Sequence, residues 1–95
     1  MKFGLSEDTL KKIKTSLKKY PSLKWVKIYG SRAKGNYCLS SDIDLAYSSE
    51  LDISAELLAE LDNLSTPYLF DVTHYETIDN PNLKDHINRV GEKIY

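Results

Sequence analysis

One cysteine, Cys38, is all the thiol this chain of 95 residues contains, which excludes an internal disulfide and a multi-cysteine zinc site. Such sparing use of cysteine fits a reducing cytoplasm. No apolar run approaches the ~20 residues needed to span a bilayer. The start, Met1-Lys2-Phe3-Gly4-Leu5, lacks the apolar stretch of a secretory signal. A surplus of charge is also missing. Thirteen basic residues face 14 acidic ones, for a net charge of -1, so there is no global basic footprint for duplex nucleic acid. Neither a membrane nor a nucleic acid is an expected partner. Repeats, low-complexity stretches, linkers, a Walker-type phosphate loop and a Ser-His-Asp arrangement are absent as well. The length fits one domain, residues 1–95, burying roughly 60–65% of the surface its unfolded chain exposes.

What is present reads as alternating helices and strands. Leu10, Ile13 and Leu17 lie three and four apart, with Ser6 as N-cap, lysines in the last turn and Pro21 beyond: a helix. Lys24–Tyr29 is β-branched and aromatic and stops at Gly30, a strand. Ile43–Tyr47 is a second strand. Ile53, Leu57, Leu58, Leu61 and Leu64 form a helical stripe capped by Asp52 or Ser54. After Pro67, Tyr68–Thr73 reads as a third strand. Asn80-Pro81 opens a last helix through Leu83, Ile87 and Val90, stopping at Gly91. With a short helical turn after Gly30, the order is α-β-(turn)-β-α-β-α. It predicts an α/β (α+β) fold, a small mixed sheet with helices packed against it. A three-layer Rossmann domain needs more chain.

The chemistry concentrates in Gly30-Ser31-Arg32-Ala33-Lys34-Gly35 and, after a short loop, Ser41-Asp42-Ile43-Asp44-Leu45. Side chains alternate along a strand, so Asp42, Asp44 and Ala46 share one face, and Ile43, Leu45 and Tyr47 the other. The apolar set can seal a core. The two carboxylates stand ~7 Å apart and repel, which a divalent cation with a preference for oxygen ligands relieves. On the third strand Leu69, Asp71 and Thr73 face one way, so Asp71 joins the pair if that strand lies beside the second. Three acids can then hold two metals ~3.5–4 Å apart for in-line phosphoryl displacement. Upstream, Gly30 lets the backbone approach a ligand, and Ser31 stands where a helix starts and free N–H groups meet an anion. Arg32 and Lys34 are candidates to neutralise phosphate charge, although each is equally readable as a surface charge.

The run GSRAKG followed by SDIDL resembles the minimal nucleotidyltransferase family of the DNA polymerase beta-like superfamily. A third carboxylate on a later strand is matched by Asp71, and the closing helix and tail by Leu83–Tyr95. The loop Tyr37-Cys38-Leu39 departs from the pattern in being more apolar. The resemblance implies a nucleotidyltransferase fold, two Mg²⁺ ions (Mn²⁺ as an alternative) and transfer of a nucleoside monophosphate from an NTP, ATP at family level, to a hydroxyl. Asp42 and Asp44 would bind both metals, Asp71 would hold the one that activates the acceptor, and Gly30 with Ser31 would hold the β and γ phosphates. It also implies a hetero-oligomer in which a helical HEPN-domain toxin is the partner and this chain the antitoxin, adenylylating a tyrosine hydroxyl.

Two other readings stand beside this one. A binding module could neutralise the partner by contact alone, its acids vestigial. Transfer to a small molecule would need substrate-binding structure for which this length leaves little room. Asp-x-Asp alone is more often a solvated strand end than a metal site; the preceding GSRAKG reverses the odds. His86 falls on the apolar stripe of the last helix and reads as a packed or edge histidine. His74 reads as a loop residue with at most a minor site role. Trp25 and Tyr29 share a strand face and read as core or interface.

Overall fold

Ser6 begins the first regular element: its hydroxyl accepts a hydrogen bond from the Thr9 N–H at 3.1 Å, supplying one of the four acceptors a helix start lacks. Helix α1, Glu7–Leu17, carries Glu7 and Asp8 in its first turn, where the helix dipole favours acids, and buries Ile13 and Leu17. The chain then runs through β1 (Trp25–Tyr29), α2 (Ser31–Lys34), β2 (Ile43–Ser48), α3 (Ser54–Asp62), β3 (Phe70–His74), a single 3₁₀ turn (Tyr75–Thr77), α4 (Pro81–Val90) and β4 (Glu92–Lys93). The structure, a computed structural model, describes residues 2–38 and 40–95; Leu39 of the apolar loop lies outside the described residues.

The four strands form one mixed sheet in the order β3-β2-β1-β4. β1 is antiparallel to β2 and to β4, whereas β2 and β3 are parallel, joined by α3 as crossover helix. Alternation sorts the side chains into two cores. Val26, Ile28, Ile43, Leu45, Tyr47 and Phe70 face the larger one, closed by Ile13 and Leu17 of α1 and Leu57 and Leu61 of α3. On the opposite face Tyr29 and Ala46 pack with Ile87 of α4, and Trp25, Leu83 and Val90 line the margin. The sheet is thus covered on both sides, with α4 reaching only part of the second. That partial cover keeps one end of the face open beside Asp44. Among the described residues no helix is long and apolar enough to cross a membrane.

The α/β architecture is the one expected from sequence, with small shifts at its edges. β3 runs to His74 instead of ending at Thr73, so His74 belongs to the sheet and not to a loop. β4 was not expected; its Glu-Lys pair carries no alternation, and it exists because Ile94 is anchored beside β1, its N–H donating to Val26 O at 2.9 Å. At α3 the cap position is Ile53, flanked by both candidate caps. Asp52 Oδ1 accepts from the Ser54 N–H and from Tyr47 Oη, each at 3.0 Å.

Candidate functional site

Strand register sets the site. Tyr29, the last residue of β1, pairs with Asp44 on β2, and Asp44 pairs in turn with Asp71 on β3. Neighbours in register point to the same side of a sheet. Asp44 and Asp71 therefore emerge together on the face that α4 leaves open, and Asp42 lies just before β2 begins. Asp42 and Asp71 are exposed and Asp44 is half-buried. Burial first, then the charges of Asp71 and Asp42, push the Asp44 carboxyl above its ordinary pKa of 3.8, while His86 on α4 favours its charged form.

The segment after Tyr29 closes against the same point. Gly30 has φ +74°, a left-handed value that favours glycine. A Cβ built there would stand 2.3 Å from Asp44 Oδ2. Backbone and carboxylate thus share a space that no side chain at position 30 can enter. α2 begins at Ser31, and its first-turn N–H groups have no preceding helical carbonyl to meet. Gly35 ends it at φ +88°.

The residues fit a divalent cation by the chemistry of their donors. Among the described residues, the Asp42, Asp44 and Asp71 carboxylates accept no hydrogen bond and form no ion pair, so their oxygens keep the lone pairs that a hard cation takes. Nor are three His, Cys, Asp or Glu side chains, among the described residues, gathered closely enough to hold an ion as they stand. Like charges on neighbouring strands repel, and a cation among them offsets that repulsion.

Two expectations need correction. Arg32, a candidate phosphate ligand on sequence, is 2% exposed. Its Nε and Nη2 donate to the Ser41 carbonyl at 3.1 and 2.9 Å, and Nη1 donates to the Phe3 carbonyl at 2.9 Å. A guanidinium committed to main-chain oxygens is a brace; Lys34, exposed at the end of α2, is the basic residue of this run that remains open to solvent. His74 is equally remote from the role entertained for it. It is buried at the far end of β3, stacked 5.0 Å from the Tyr47 ring, with Nε2 2.6 Å from Ser49 O.

Three residues that the sequence suggested only as core, packed or same-face positions stand beside the acids: Tyr29, Thr73 and His86. Tyr29 Oη lies 3.1 Å from Thr73 Oγ1, bridging β1 and β3 across β2 next to Asp44. Burial, and then the Asp71 and Asp44 charges, raise the phenol's pKa, with the Thr73 contact opposing. His86 meets Tyr29 edge-on, at 6.1 Å and 82°. Strand alternation places Tyr29 and Thr73 on the acidic face; nothing local tells that α4 brings His86 to them. In the loop before Asp42, hydrogen bonds to Ser40 and Ser41 lower the Cys38 thiol to about 7.

Comparison with known proteins agrees with the fold. Residues 11–95 match the family described as polymerase beta, nucleotidyltransferase. No curated protein gives a significant match. Among solved structures, a toxin–antitoxin complex with AMP-PNP contains a chain 23% identical, at a TM-score of 0.76 over 90% of this chain and 72% of that one. The MntA–HepT toxin–antitoxin structure gives 20% identity and a TM-score of 0.71, over 95% and 72% of the two chains. The tri-AMPylated Shewanella oneidensis HEPN toxin in complex with its MNT antitoxin gives 20% and 0.72, over 96% and 72%. At these identities the likeness speaks for the fold.

Proposed function

Because the chain belongs to the polymerase beta nucleotidyltransferase family, we propose that it transfers AMP from ATP to a hydroxyl of a helical HEPN-type protein, and so acts as the antitoxin of a two-protein module. The observation that carries this reading is the junction of the two halves of the site. Tyr29 pairs with Asp44, and the Gly30 backbone approaches the Asp44 carboxylate so closely that any Cβ would collide with it. A phosphate cradle and an acidic cluster in contact are the two parts nucleotidyl transfer needs.

In this reading Asp42 and Asp44 would hold two divalent ions, and Asp71 would hold the one that activates the acceptor. Mg²⁺ bound there supplies the positive charge that neutralises the triphosphate and polarises the reacting phosphoryl group. Ser31 and the backbone after Gly30 hold the β and γ phosphates, and Lys34 offsets their charge. The acceptor oxygen forms its bond to the α-phosphorus as the bond from that phosphorus to the bridging oxygen breaks, and pyrophosphate leaves. The acceptor's proton passes to the Asp71 carboxylate. The partner assignment is supported by the complexes above, one with AMP-PNP and one with an AMPylated toxin.

The experiment is incubation of the chain with the product of its neighbouring gene, Mg²⁺ and α-labelled ATP, repeated with Asp42→Asn/Asp44→Asn. Label on the partner that disappears with the double variant is the expected result. If label never reaches the partner and the double variant still neutralises it, transfer is refuted, and the chain is a module that acts by contact alone.

A further inference from the structure

Arg32 combines a full charge with near-complete burial. Burying a guanidinium is costly unless its donors are matched. Here the matching is done by parts of the chain far apart in sequence. One edge of the fork, Nε and Nη2, closes on the carbonyl of Ser41. The remaining arm reaches the carbonyl of Phe3. The guanidinium carbon lies 4.8 Å from the Tyr68 ring centroid and 5.3 Å from that of Tyr37, within the range of a cation–π attraction.

The carbonyl gripped by two donors belongs to the peptide bond that joins Ser41 to Asp42. Holding that oxygen fixes the peptide plane from which the Asp42 backbone departs. The far end is anchored too. Phe3 and Gly4 have φ of +58° and +69°, and the Leu5 N–H closes the turn on Lys2 O at 2.8 Å. Leu5 is fully buried in the larger core. A Cβ at Gly4 would stand 2.3 Å from Tyr37 Cε2, so the hook lies directly on the ring that flanks Arg32.

We propose that Arg32 is a positioning residue for the carboxylate site, holding Asp42 in place through the Ser41 carbonyl, with the hook Phe3–Leu5 as its anchor. The inference rests on the reading of Asp42 as a metal ligand. It makes a segment outside the GSRAKG and SDIDL motifs a working part of the site. A lysine keeps the charge but cannot present donors to both carbonyls in the plane of a fork. The loop's own turn, Cys38 N–H to Ser41 Oγ at 2.9 Å and Ser41 N–H to Cys38 O at 3.0 Å, is independent of Arg32 and should survive the exchange.

The test is titration of the full chain with Mn²⁺ in the absence of nucleotide, following free Mn²⁺ by electron paramagnetic resonance. Arg32→Lys is expected to weaken Mn²⁺ binding about tenfold, the usual cost of losing a group that orients a ligand, with an unchanged far-UV circular dichroism spectrum. In an Asp42→Asn background the same exchange should weaken binding no further, because the ligand through which it acts is gone. A role confined to stability predicts equal losses in both backgrounds, and that result overturns the proposal. A chain lacking residues 1–4 keeps Arg32 and every carboxylate; it should also bind Mn²⁺ several-fold more weakly, and parental affinity there overturns the anchor. Mn²⁺ binding with the expected Arg32 dependence but no transfer to a partner defeats the transferase reading alone. No Mn²⁺ binding by the unaltered chain defeats both.

Discussion

At the scale of single residues, the role proposed for Asp44 sets stability against chemistry. Its carboxyl is half-buried, faces two like charges and has its pKa raised in the folded chain. The folded state therefore holds that proton more tightly than the unfolded state does. By linkage, the Asp44 contribution to metal-free stability falls as pH climbs past the ordinary value of 3.8 and levels off above the raised one. Asp44→Asn removes the charge and nearly keeps the shape. The expected outcome is a metal-free melting temperature at neutral pH equal to or above the parent's, with nucleotidyl transfer down about a thousandfold, as loss of a metal-borne several kcal/mol implies. A lower melting temperature with transfer intact would contradict this reading of the residue. Arg32 teaches the opposite lesson at the same scale. Its place in GSRAKG suggested a phosphate ligand, yet its length carries the guanidinium inward to Phe3 and Ser41, and only the fold shows which way a long side chain turns.

At the scale of elements, α4 decides how much of the acidic face stays open. Asn80 Oδ1 caps it by accepting from the Asn82 N–H at 2.9 Å, and Pro81 occupies the first helical position. Ile87 presses the helix onto Tyr29 and Ala46, and the same turn carries His86 to the Tyr29 ring. Removing the cap with Asn80→Ala should cost about 1 kcal/mol. In a domain of this size that corresponds to a fall of roughly 4–8 °C in melting temperature. Thermal denaturation followed by circular dichroism measures it, and an unchanged melt would show that packing of Ile87 alone holds the helix. The elements were legible because their signals are local: Ser6 and Asn80 as caps, the stripe through Leu57 and Leu61, the alternation through Ile43 and Leu45. β4 was not, since two exposed polar residues have no periodicity and pair where Ile94 holds the chain along the edge of β1.

For the molecule as a whole, the sheet brings two distant stretches of chain to one end of one face, and neither is complete without the other. Ligand binding should then report on the global fold. A ligand that binds only the native state stabilises it by RT ln(1 + [L]/Kd), about 2.7 kcal/mol at a hundredfold excess over Kd. Mg²⁺ with a non-hydrolysable ATP analogue should accordingly raise the melting temperature by roughly 10 °C or more at saturation. Asp42→Asn/Asp44→Asn should abolish that shift. An equal shift in parent and double variant would place the nucleotide elsewhere than at these carboxylates.

The sequence by itself determined the elements, the apolar and acidic faces of β2, and the adjacency of a glycine-serine turn to an Asp-x-Asp pair. All of these follow from periods of two and 3.6 residues and from local backbone preferences. It left conditional whether Asp71 meets Asp44, because that depends on β3 taking the edge beside β2 in parallel register. The inward turn of Arg32, the burial of His74 and the approach of His86 were decided only by the tertiary structure. Each depends on segments that meet only in the folded sheet, and no local pattern records which carbonyl, ring or strand will be waiting there.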